Sequence, residues 1–214
     1  MEHGSLNFGF KARYFQLGTL DPATKNLIFV LHGHGQLAPF FIRKFSALDN
    51  GKNCIIAPEG LSRYYLQGFS GKVGATWMTK EDRLTDIENY LGYLNALQEE
   101  LKPKLSENTT ITVLGFSQGA ATASRWVTSG GMPFDRLVLW AGIFPPDMDF
   151  PQASEILRQK NITYVYGTED PFLSPSKLQE MQTLSSKLGL SPKTITFKGV
   201  HEIKEDTLLR LFVP

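Results

Sequence analysis

The 214-residue chain is 42% hydrophobic and 20% charged, the balance of a globular protein with enough apolar surface for a sizeable core. A formal net charge of +1 gives no reason to expect a nucleic-acid partner or an anionic-membrane surface. The longest apolar stretch, Leu27 to Leu31, is far too short to cross a bilayer, and a single cysteine, Cys54, excludes an internal disulfide framework and any multi-cysteine zinc site.

The opening "MEHGSLNFGF" lacks a secretory-signal pattern, and His3 falls in a terminus expected to fray. These features fit a cytoplasmic protein of one domain over residues 1–214. Residues 10–18, "FKARYFQLG", alternate in polarity and read as an antiparallel edge strand. Continuously apolar, β-branched strands follow at 26–31, 53–58, 109–114, 136–141, 162–167 and 193–197, with Cys54 as a small core residue of the second. Helical patterns separate most of them, which predicts an α/β fold with a mostly parallel sheet covered on both faces.

Three helices are well marked. Thr79 and Asp82 resemble a capping box ahead of the stripe Leu84, Ile87, Leu91, Leu94, Leu97 and Leu101, which Pro103 stops. Ser174 and Pro175 read as the N-cap and first turn of a second helix that ends at Gly189. The third begins at the serine of "TVLGFSQGAA". Residues 60–78 have no clean period but carry Tyr64, Tyr65, Phe69, Trp77 and Met78; a segment that long either lines a site or packs over the sheet edge.

Gly115-Phe116-Ser117-Gln118-Gly119 matches G-x-S-x-G, a weak motif alone. The strand before it and the helix after it supply the context that the chemistry requires. A sharp strand-to-helix turn strains the serine backbone and crowds the positions two before and two after it, so glycine is needed there. Ala120, Ala121 and Ala123 let the following helix approach the sheet. Its free N–H groups point toward the serine, a favourable place for a developing anion.

A serine hydroxyl is a poor nucleophile without a base, and the base needs an orienting acid. Of four histidines, His201 follows the last strand and so shares a sheet edge with Ser117. Asp170 follows strand 162–167; Glu169 beside it, and Asp147 and Asp149 after strand 136–141, are competitors. The chain order Ser117, Asp170, His201 favours Asp170. An oxyanion hole requires two N–H groups. One is expected from Gln118 and the other from the loop "LHGHGQ", where Gly33 and Gly35 let amides turn inward. His32 and His34 in that loop also raise a metal pair, but no nearby cysteine or H-E-x-x-H accompanies them.

"LHGHG", "GFSQGAA", "GTEDPFLS" and "GVHEI" together resemble the serine-hydrolase family of carboxylesterases, lysophospholipases and acyl-protein thioesterases. The likeness runs from strand 27–31 to the last helix. It implies a compact, single-domain α/β-hydrolase with Ser117, Asp170 and His201 as its triad; the short connection 142–151 leaves no room for a large cap, and no cofactor or metal is expected. It also implies that the second oxyanion amide is that of His34, where the family often has leucine. The segment 60–78 departs from the thioesterase members. The expected activity is cleavage of a small-molecule carboxylic ester, with thioesters or lysophospholipids as further substrates, through an acyl-enzyme. Trp77, Met78, Tyr65 and Phe144 are the expected substrate wall. No nucleic-acid partner and no stable membrane insertion are expected. A dienelactone-hydrolase-like enzyme would share the fold but normally uses cysteine as nucleophile. A non-catalytic binding module on the same fold would be expected to have lost a triad member.

Overall fold

Alternating burial along the central strands sets the architecture. Within β2 (Asn26–Leu31), Leu27, Phe29 and Leu31 enter one buried cluster while Ile28 and Val30 enter another. A strand apolar on both faces needs cover on both, and the chain supplies it. The computed structural model describes residues 4–212; His3 lies outside the described residues.

The remaining strands are β1 (Tyr14–Leu17), β3 (Asn53–Pro58), β4 (Ser62–Tyr65), β5 (Val73–Thr76), β6 (Thr110–Phe116), β7 (Arg136–Trp140), β8 (Asn161–Gly167) and β9 (Lys193–Phe197). Seven form one sheet in the order β1-β3-β2-β6-β7-β8-β9. Only β1 runs antiparallel, against β3, as the alternating segment 10–18 predicts, although just four of those residues pair. Burial pushes the Cys54 thiol up to about 11, in keeping with an inert core residue.

One face is covered by α2 (Arg83–Leu101), α3 (Gln118–Thr128), α4 (Phe150–Leu157) and α5 (Pro175–Lys187). The other carries α1 (Ala38–Phe41), the 3₁₀ turns that continue it over Ile42–Leu48, and α6 (Glu205–Phe212). Helix α5 starts and stops as expected: Ser174 accepts from the Lys177 amide at 3.3 Å, and Gly189 leaves with φ +66°.

The start of α2 differs from the expectation. Asp82 precedes it in the left-handed region, φ 44°, without a side-chain bond to the helix amides. Its carboxylate instead accepts from Thr85 Oγ1, the Thr79 amide bonds Asp86, and no capping box forms. Leu84 is exposed, so the buried stripe consists of Tyr90, Leu94, Leu97 and Leu101. Residues 60–78 are not an irregular loop: β4 and β5 form an antiparallel hairpin. An isolated bridge between Gln36 and Ala75 joins that hairpin to the loop after β2.

Candidate active site

The carboxyl ends of β2, β6, β8 and β9 lie on one edge of the sheet, and each hands its following loop to the same region. At the end of β6 the chain turns through Ser117, whose φ of 55° and ψ of −118° are strained for a non-glycine residue. The turn is tight enough to forbid side chains on either side. A Cβ on Gly115 would lie 2.2 Å from the Gly119 carbonyl oxygen, and one on Gly119 would lie 2.2 Å from that of Leu31. Ala120 and Ala123 are fully buried on the core side of α3, while Ala121 faces the cavity.

His201 lies beyond β9 and donates or accepts through Nδ1 at 2.7 Å from Asp170 Oδ2. The Asp170 side chain has no exposure, against 19% for His201. Its other oxygen accepts the Phe172 amide at 2.9 Å, which fixes the carboxylate as well as the turn. A buried carboxylate has no better partner here than an Nδ1–H, so Nε2 is left facing away from the acid. The imidazole lies between the rings of Phe116 and Phe172, at 4.8 and 4.7 Å. The competing acids are engaged elsewhere. Glu169 is exposed; Asp149 caps α4 through the Gln152 amide; Asp147 bridges Arg83 and Arg125. Burial works against the Asp147 charge, but hydrogen bonds and the charges of both arginines outweigh it and hold the carboxyl below its usual range.

Ser117 and His201 line one open cavity of about 340 Å³. Among the described residues no hydrogen bond joins Ser117 Oγ to His201. Such bonds commonly tighten only when substrate arrives. The cavity walls come from Met78, Ile143, Phe144, Pro145, Phe172 and Leu173. Phe144, with no exposed surface, only backs the wall; Met78, partly exposed, borders the cavity. Trp77 and Tyr65 do not. Trp77 is a core residue, 2% exposed, whose Nε1 donates to the His32 carbonyl. Tyr65 ends the outer strand of the hairpin, is about half exposed, and is absent from the cavity wall. Phe172 and Leu173 escaped the sequence reading although only Pro171 separates them from Asp170; a strand-end acid implies that the next residues also border the site.

The loop after β2 passes against the serine, since a Cβ on Gly33 would come within 3.2 Å of Ser117 Cβ. Its amides are sorted: Gly33 donates to Gln36 Oε1, and Gly35 to the Ala75 carbonyl. The amides of His34 and Gln118 have no acceptor among the described residues. Gln118 lines the cavity; His34 is not among its wall residues.

The two loop histidines do not act as a pair. His32 is fully buried, with Nδ1 on the Gly33 carbonyl and Nε2 accepting the Gly60 amide at 3.0 Å. Burial lowers its pKa, only partly offset by the Gly33 bond and the Glu59 charge. His34 contacts Thr76 and Tyr64 instead. Among the described residues no group of three or more potential ligands is arranged to hold a metal ion.

A family model described as phospholipase/carboxylesterase matches residues 18–211. The chain belongs to that family. Its members are hydrolases of the esterase type, and the seven-stranded sheet described above is an α/β-hydrolase sheet. Solved structures of similar fold include acyl-protein thioesterase 2 from Zea mays, at 16% identity and TM-score 0.70, covering 94% of this chain and 96% of that one. A phospholipase/carboxylesterase from Dyadobacter fermentans gives 17% identity and TM-score 0.67, covering 96% of this chain and 98% of that one. Esterase PE8 gives 18% and 0.66, covering 95% and 100%. At such identities the likeness speaks for the fold alone. No curated protein matches the sequence significantly.

Proposed function

We propose that the protein is a serine esterase that cleaves small carboxylic esters through an acyl-enzyme. The observation that carries this reading is the buried Asp170 held 2.7 Å from His201 Nδ1, in a cavity that His201 shares with the strained Ser117. With Nδ1–H held by the carboxylate, Nε2 is the free base. It takes the Ser117 proton as Oγ attacks the ester carbonyl, and the C=O pair moves onto oxygen. The amides of His34 and Gln118 hold that oxyanion, and the α3 N-terminus adds its partial positive charge. Collapse expels the alkoxide, which takes the proton from His201. Water then attacks the acyl-enzyme by the same steps in reverse roles, releasing acid and free serine. No step needs a cofactor. Thioesters and lysophospholipids present the same carbonyl and fall within this chemistry.

A fluorophosphonate probe should label the native protein and leave Ser117→Ala unlabelled, and that variant should lose at least ~10³-fold in kcat on p-nitrophenyl butyrate. Labelling that survives the substitution would place the nucleophile elsewhere. A panel of p-nitrophenyl esters, acyl-CoAs and a lysophospholipid ranks the substrate classes.

A further inference from the structure

The His34 side chain has two partners, and they lead to Gln118. Tyr64 Oη lies 2.6 Å from His34 Nε2, and His34 Nδ1 lies 3.2 Å from Thr76 Oγ1. Thr76 Oγ1 in turn reaches Gln118 Oε1 at 3.0 Å and the Met78 carbonyl at 2.9 Å. The Gln118 amide is oriented by its own neighbours: Oε1 accepts the Trp77 amide at 3.1 Å, and Nε2 donates to the Met78 carbonyl at 2.8 Å.

Proton counting gives the chain a direction. Thr76 has one hydroxyl proton and two neighbours that can only accept, so it cannot also donate to His34. The Thr76 contact is therefore donated by His34 Nδ1–H. A neutral ring then has Nε2 free to accept, and Tyr64 O–H supplies the donor. Partial burial raises the Tyr64 pKa further above neutrality, which keeps that phenol protonated. The sequence of bonds is Tyr64 to His34 to Thr76, whose one proton goes either to Gln118 Oε1 or to the Met78 carbonyl that Gln118 Nε2 also reaches, so both routes end on the Gln118 side chain. The rings of Tyr64 and His34 also face each other at 5.5 Å.

We infer that the His34 imidazole is a positioning residue, which with Tyr64 and Thr76 clamps the two amide-bearing residues of the oxyanion hole to each other through the β4–β5 hairpin. This rests on the esterase reading above. The clamp joins pieces far apart in the sequence: the loop after β2, both hairpin strands and the first residue of α3. Backbone bonds between Gly35, Gln36 and Ala75 already hold the loop to β5. The imidazole adds what they do not, a link from the residue carrying one amide to the side chain of the residue carrying the other. A sequence reading that gives His34 only its amide leaves this contribution out.

Removing either end should misplace the donors without deleting them. Tyr64→Phe and His34→Leu should each lower kcat about tenfold with KM little changed, less than the loss of a whole donor because the amides remain. Acting through one chain, the two losses should not multiply in the double variant. Imidazole ¹⁵N spectra of the native protein should show His34 as the Nδ1–H tautomer, with Nε2 shifting in Tyr64→Phe while the circular dichroism spectrum is unchanged. A kcat within twofold of native in either single variant, multiplying losses, or an Nε2–H tautomer would overturn the clamp. If the native protein cleaves no ester, the esterase reading fails, and the tautomer and its response to Tyr64→Phe still decide whether the chain of bonds exists.

Discussion

Gly119 shows how closely single residues are constrained at this site. A methyl group there would meet the backbone oxygens of Leu31 and His32 at 2.2 and 2.6 Å, and neither is a side chain that can swing aside. Gly119→Ala should therefore destabilise the fold by about 1–3 kcal/mol, as overpacking does, and should lower kcat further because the displaced strand end leads into the loop proposed to carry an oxyanion amide. Gly92→Ala is the control: it lies on the exposed side of α2 with nothing within 4 Å, and replacing a mid-helix glycine should gain about 0.5–1 kcal/mol. Urea unfolding of both variants checks the pair, and equal midpoints would contradict the packing argument. The acid is tested in the same way. Asp170→Asn, which keeps the shape but favours the wrong imidazole tautomer, should cost on the order of 10²–10⁴ in kcat, while Glu169→Gln on the exposed side of the turn should be mild. The reverse ranking would remove Asp170 from its role.

Between elements, His32 joins the end of β2 to the chain leaving β3, through its bond to the Gly60 amide. That bond needs an unprotonated Nε2, and burial lowers the folded-state pKa below the ordinary 6.5. The unfolded chain therefore binds a proton that the folded one refuses. Stability is fully present above about pH 6.5 and declines as pH falls toward the folded value, by at most about 1.4 kcal/mol per pH unit from this one group. Urea midpoints between pH 7.5 and 5.5 should fall more steeply for the native protein than for His32→Gln, and parallel slopes would assign the decline elsewhere. The elements that the sequence made legible are those whose burial is periodic. The central strands are apolar on both faces, and α5 carries a serine cap and a terminal glycine, so both could be placed from residue type. The hairpin could not. Strand β4 is largely exposed and β5 largely buried, so neither alternates, and their pairing depends on contacts with the distant Gln36. The same distance hides the clamp: Tyr64, His34 and Thr76 each look ordinary until the hairpin closes on the loop. Triad candidates were legible because strand ends and chain order suffice to bring them to one edge; the cavity wall was not, because Trp77 turns inward to the His32 carbonyl and Phe172 is placed by the Asp170 turn.

At the scale of the whole molecule, nothing among the described residues covers the cavity. Enzymes that act at lipid surfaces commonly bear a mobile cap after the strand equivalent to β7. Here that connection is residues 141–149, and α4 follows at once. Pro145 and Pro146 stiffen it and, with Ile143, border the cavity, which Phe144 backs. Among the described residues no helix is long and apolar enough to cross a membrane. The apolar wall is short: Met78 is its sole contribution from residues 60–78, and the rest comes from Ala121, 141–146 and 172–173. Each further CH₂ of an acyl chain gains ~0.8 kcal/mol only while there is wall to cover it. kcat/KM should therefore rise over the first few carbons and then level off or fall, with soluble short-to-medium acyl esters preferred. With no cap to open, the rate should pass smoothly through the solubility limit of the substrate. Rates on p-nitrophenyl butyrate and octanoate, followed across that limit, measure both features. A sharp rise as the emulsion forms, or an optimum at palmitate, would require a cover or tunnel that the 340 Å³ cavity does not possess.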